Sequence, residues 1–282
     1  MIVSGKSSNF ATIYTKWKMA TRGNIHSFQD NHAIKEAVIS FIVSPQIIDP
    51  LSYRSLLDEG HPLCGVYHKF EPVKLKEIKI ESGLNNQTIE SIKDSGFKFI
   101  AFKEGKTSKI MQGLSQPRQA LFTFNTVDYP GWTKFKEESL ATAKAVASFQ
   151  TIYKVHAFSL MYIDEFYFEN GNEYNPKDLF NLDSRNLPRG LEDSDFVDYN
   201  FNLRRHNDGR NYFENVSIKV FNDGQKKIIR ITENLTFEIK AMSFIDVLEM
   251  PDINGFLDFS HDENKKTLRD ILSSNIIKMI QL

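Results

Sequence analysis

"IYKVHAFSLMYIDEFYF", from Ile152 to Phe168, is crowded with aromatic and β-branched side chains. Such a run reads as a strand buried on both faces for much of its length, and so as the middle of a sheet. Just before it, residues from about Pro130 to Phe149 carry a helical period. Trp132, Phe135, Ser139, Ala143, Val146 and Ala147 fall on one stripe, with Lys134, Lys136, Glu137 and Glu138 turned outward. A helix that is apolar along one stripe has to cover something, and the neighbouring sheet is the available surface.

Working outward toward the N-terminus, "AIKEAVISFIV" (Ala33 to Val43) reads as a strand that stops at Ser44-Pro45, where the ring removes a ladder donor. Asp49-Pro50 opens a short helix closed by Gly60. "CGVYHKFEPVKLKEIKIE" reads as a strand pair with one wet face, and the polar "LNNQTIESIKDSG" (Leu84 to Gly96) as a loop or very short helix. Two strands joined at Glu104-Gly105-Lys106 follow, then a third, "QALFTFNTV", to complete an antiparallel meander.

Toward the C-terminus, the Asn- and Asp-rich stretch from Glu169 to Asp198, broken by Pro176 and Pro188, reads as a junction. Three more strands follow, and then a helix from His261 to about Ile280. Ser260 to Glu263 has the spacing of a capping box at its start. Strands therefore come in runs, each followed by one long helix, which predicts an α+β fold. The shared rhythm predicts two antiparallel curved sheets, each packed by its own amphipathic helix, as a pseudo-twofold duplication. The corresponding parts are an N-terminal appendage (1–30), an N-terminal half (31–170), a connecting segment (171–198) and a C-terminal half (199–282).

With 41% apolar residues the chain can build a sizeable core. Its 35 basic and 36 acidic residues give a net charge of −1, so no overall field draws it to nucleic acid or anionic lipid. One cysteine, Cys64, excludes an internal disulfide and reads as a small buried hydrophobe. Lys6, Lys16, Lys18 and Arg22 interrupt the first residues, against a signal peptide, and no apolar run is long enough to span a bilayer. The expectation is a cytoplasmic protein that takes a protein partner or a small ligand, with no cofactor.

"NHAIKEAVISFIV", "YPGWTKFKEE", "VHAFSLMYIDEF" and "FLDFSHDENKKTLRDIL" occur in this order from Asn31 to the C-terminal helix. Together they resemble the bacterial family described as sporadically distributed proteins of unknown function. Its pattern is an Asn-x-x-Ile-x-Glu-Ala start, a Tyr-x-x-Trp before the first long helix and a His at the start of the last. The resemblance implies no defined activity; the family's patchy distribution implies mobile elements, phage defence or toxin–antitoxin-like loci. Where similar proteins carry arginines on the strand after the first helix, this chain has Ala157, Met161, Asp164 and Glu165. A function resting on a basic strand is therefore not carried over.

Candidate sites are few. Tyr129 and Trp132 flank Pro130-Gly131, which reads as helix-start chemistry or as an aromatic platform for a base or peptide. His261, at the expected helix start, stands where exposed amides attract anions. Asp223, Glu238 and Lys240 have the Asp…Glu-x-Lys order of a magnesium-dependent nuclease, as do Asp58, Glu77 and Lys79. His156 and Asp164 are too far apart along one strand to share an ion, and "RRHNDGR" reads as a hairpin turn. A binding or interaction protein is the leading expectation; a hydrolase using Asp223, Glu238 and Lys240 is the alternative.

Overall fold

The computed structural model describes residues 21–22, 25–29, 32–81, 87–170, 174–191 and 199–282. Its strands are β1 (Thr21–Arg22), β2 (Ile25–Ser27), β3 (Ile34–Ser44), β4 (Lys69–Glu81), β5 (Gln87–Lys103) and β6 (Lys106–Gln116). They continue with β7 (Gln119–Thr126), β8 (Lys154–Phe168), β9 (Tyr199–Asn207), β10 (Tyr212–Asp223) and β11 (Lys226–Ser243). The helices are α1 (Trp132–Phe149), α2 (Pro176–Leu179), α3 (Phe244–Glu249), α4 (Ile253–Ile271) and α5 (Ser274–Met279), with a 3₁₀ turn over Pro50–Leu57.

The fold is α+β, and the aromatic strand β8 lies at its centre. β8 pairs antiparallel with β3 on one side and β11 on the other. The path across the sheet is β4-β5-β6-β7-β3-β8-β11-β10-β9. In place of the two sheets expected, one continuous sheet forms. A strand with Val155, Phe158, Leu160, Tyr162, Phe166 and Phe168 all buried needs a neighbour along each edge, and each half of the chain supplies one. Short β2 pairs with the end of β8, and β1 with β2; the rest of the expected appendage, residues 1–20, lies outside the described residues. Of the connecting segment, 171–173 and 192–198 also lie outside them, and α2 occupies part of the remainder.

Both core clusters lie on the same face of this sheet, beneath the helices. One joins Phe41, Phe97, Phe122 and Phe158 to α1 through Phe135 and Val146, to α3 through Phe244, and to α4 through Leu257. The other joins Phe166, Ile218, Ile229 and Ile231 to Leu179 of α2, Leu268 and Ile271 of α4 and Ile276 of α5. Each fully buried side chain of this kind contributes roughly 1.5–3 kcal/mol, so the helices are held mainly by these contacts.

Four local expectations are corrected. Helix α4 starts at Ile253, and Ser260 sits within it, donating from Oγ to the Phe256 carbonyl at 2.9 Å; no capping box forms. Phe256, Leu257 and Phe259 begin the helical period just after Pro251, and their packing draws the helix N-terminus upstream. At α1, Gly131 takes the cap position with φ 94°, a value glycine tolerates, and Pro130 stays outside the first turn. The stretch from Gln87 to Ser95 belongs to β5, because pairing with β4 overrides its turn-rich composition. Cys64 is exposed, since its neighbours Leu63 and Tyr67 take the inward positions. Among the described residues, no helix is long and apolar enough to cross a membrane.

Candidate functional site

A helix lying on a sheet ordinarily presents aliphatic side chains to it. The middle of α4 departs from this: Ser260, His261, Asn264 and Thr267 occupy the buried stripe, spaced three and four apart. Beneath them the sheet is polar too. Tyr162 on β8 is cross-strand partner to Glu233 on β11, and Glu214 on β10 is partner to Arg205 on β9. Glu233 faces Val216, two residues from Glu214, so the set runs diagonally across four strands.

Helix and sheet meet through this row one hydrogen bond at a time. The Tyr162 hydroxyl lies 2.9 Å from His261 Nδ1. Asn264 donates to Glu233 at 3.0 Å, and Thr267 donates to Glu214 at 3.2 Å. The Glu214 carboxylate also accepts from Arg205 at 2.6 Å, and the other terminal nitrogen of Arg205 donates to Asn186 at 2.9 Å. Asn186 in turn donates to Asp270 of α4 at 2.6 Å, alongside Ser184. A polar row therefore runs from the α1–α4 contact to the outer strands of the C-terminal half.

At its inner end the structure brings together three residues singled out in the sequence. The Trp132 and His261 rings stack at 4.6 Å, and Tyr129 lies edge-on to Tyr162 with the hydroxyls 3.4 Å apart. Asp258 accepts from Trp132 Nε1 and Lys136 Nζ, both at 2.7 Å, tying α1 to α4. Burial pulls the Asp258 carboxyl upward, but these two hydrogen bonds outweigh it and hold the group below its ordinary range. Burial lowers His261 to about 4, and burial raises Tyr129 to about 12 and Tyr162 well above its ordinary value. All three rings are thus uncharged at neutral pH. This end of the row is a hydrogen-bonded joint that ties α1, α4 and β8 together. His261 lies mid-helix, and the anion reading that depended on a helix N-terminus does not apply to it.

Two carboxyls of the sheet, Asp164 and Glu233, lie where water does not reach. Desolvation alone raises Asp164 to about 7, and its Oδ2 has no hydrogen-bond partner among the described residues. Burial, and then the nearby charge of Glu214, push Glu233 well above its ordinary value; its Oε1 is likewise unpartnered. An unsatisfied buried acceptor costs about 1–3 kcal/mol, and such features concentrate at functional sites.

At its outer end the row opens into a cavity of about 430 Å³. One wall is sheet and loop: Arg205, His206, Tyr212, and Arg185 beside Asn186. The opposite wall is α4, with Glu263, Lys266, Thr267 and Asp270. The sequence reading missed this site. Its signal was present as Arg204-Arg205 leading into the hairpin turn and as an acidic and basic set spaced along one face of α4, but the misplaced helix start hid the second part. The turn itself forms as expected between β9 and β10.

The nuclease candidates do not converge. Asp223 pairs with Lys226 at one end of the β10–β11 hairpin, while Glu238 lies just past the Tyr212–Phe237 pair at the other. Twelve residues of strand separate Lys226 from Glu238, roughly 40 Å at strand rise. Asp223, Glu238 and Lys240 are all exposed. The side chains of Glu77 and Lys79 lie outside the described residues. His156 is exposed and 2.6 Å from Ser44 Oγ. Among the described residues no three His, Cys, Asp or Glu side chains gather as metal ligands. No family model matches the chain, and neither a curated protein nor a solved structure does so.

Proposed function

We propose that this is a non-enzymatic binding protein whose receptor is the cavity between β9, β10 and α4. The observation that carries this reading is the polar row: a line of buried, mutually hydrogen-bonded side chains leads from the α1–α4 joint and ends in an open space of about 430 Å³. That size suits a small ligand. The row also weakens what would otherwise be an apolar helix–sheet contact, a cost that binding function accounts for. The resemblance to the sporadically distributed family supports a cytoplasmic role at a phage-defence or toxin–antitoxin-like locus, in which occupancy of the cavity is relayed to a protein partner. The strand order supports a pseudo-twofold relation: β3 neighbours β7 ahead of α1, as β8 neighbours β11 ahead of α3 and α4.

The test is to purify the chain from its native host and identify co-purifying small molecules and proteins by mass spectrometry, alongside an Arg185→Ala variant. The reading expects a small molecule bound to the natural chain and lost from the variant. A ligand retained unchanged by the variant, or none at all, counts against it.

A further inference from the structure

We propose that the cavity takes a zwitterion of amino-acid size, its acidic end on the sheet-and-loop wall and its ammonium on α4. This rests on the cavity being a binding site and specifies its occupant.

Several groups lining the cavity keep unused bonding capacity. On the sheet-and-loop wall, Arg205 donates one N–H from each terminal nitrogen, to Asn186 and Glu214, which leaves the second N–H of each. Its side chain is about one-third exposed and lines the cavity. Arg185 is exposed and has no hydrogen bond or ion pair among the described residues. Two guanidinium groups with spare, planar N–H donors form a donor site for a carboxylate. On the α4 wall, Asp270 accepts from Ser184 and Asn186 through Oδ2 alone, leaving Oδ1. Glu263 is engaged by Lys266 through Oε1 alone, leaving Oε2. These spare acceptors suit an ammonium group.

The lining is also balanced in number. Arg185, Arg205 and Lys266 stand against Glu214, Glu263 and Asp270, so a ligand with one net charge would leave the opposite group uncompensated. A molecule carrying both signs, separated by a few bonds, complements both walls. Tyr212 also lines the space.

The experiment is a thermal-shift screen of the full chain against the twenty protein amino acids, followed by calorimetry with the best of them. Its N-acetyl derivative, which lacks the ammonium, and its C-terminal amide, which lacks the carboxylate, are then titrated. Each is expected to bind about tenfold more weakly or worse. Arg185→Ala should weaken the parent and the N-acetyl form but leave the amide unchanged; Glu263→Gln should weaken the parent and the amide but leave the N-acetyl form unchanged. Arg185 is exposed and the Glu263 side chain is 25% exposed, and circular dichroism of each variant verifies its fold. Derivatives that bind as tightly as the parent would overturn the zwitterion while leaving the cavity a binding site. If no amino acid binds, the zwitterion falls, and the cavity reading then stands or falls with the ligand that co-purifies with the natural chain and not with Arg185→Ala.

Discussion

Asp164 shows how one residue can be read correctly for its partners and not for its surroundings. Its distance along the strand from His156 excluded a shared ion, and the structure keeps the two apart, one exposed and one buried. What sequence could not reveal is that this carboxyl, in the middle of a strand, would be buried with no hydrogen-bond partner for its Oδ2 among the described residues. Since the folded pKa of about 7 lies above the ordinary carboxyl value, the folded state binds the extra proton between about pH 4 and 7. Asp164 therefore favours folding below its unfolded pKa, and that contribution is lost as pH rises through 7. His261 works in the opposite sense: lowered to about 4, it disfavours folding increasingly as pH falls from 6.5 toward 4. The wild-type profile mixes the two, so comparison with a variant is the clean measurement. Asp164→Asn should match the wild type in denaturant unfolding at pH 4 and exceed it by on the order of 3 kcal/mol at pH 8. An advantage that does not change with pH would show that Asp164 ionises normally.

Among the elements, those with an unbroken period were legible and those with mixed faces were not. The stripe on α1 emerged as read, with Phe135, Ser139, Ala143, Val146 and Ala147 buried against the sheet. Helix α4 was misread because its inward stripe changes from aliphatic Ile253 and Leu257 to polar Ser260, His261, Asn264 and Thr267. A polar stripe looks like a solvated surface or a terminus when nothing shows what lies beneath it. The two placements of Ser260 make different demands on glycine. Within a helix Ser260→Gly costs roughly 0.5 kcal/mol in helix propensity and about as much again for the lost buried hydrogen bond to Phe256, whereas at an N-cap glycine costs only a few tenths. Urea unfolding of Ser260→Gly should therefore show a loss of about 1 kcal/mol; a change near zero would return the helix start to Ser260.

For the whole molecule, the α+β class was legible because strands come in runs and helices follow them. The single sheet was not, because joining depends on which edges β8 offers, and strand periodicity describes faces. The same holds for the cavity: Arg185, Arg205 and Asp270 are far apart in sequence and meet only because β9, β10 and α4 converge. Those contacts tie the outer half to β8 through β11, and they tie α4 to α1 through Asp258. Both halves should therefore behave as one cooperative body with a binding cavity at one end. Native-state hydrogen exchange across rising denaturant tests this most directly. Amides of β3, β8 and β11 should converge on one opening free energy equal to that of global unfolding. Exchange of β9, β10, β11 and α4 through an opening that leaves β3 and β7 protected would contradict it.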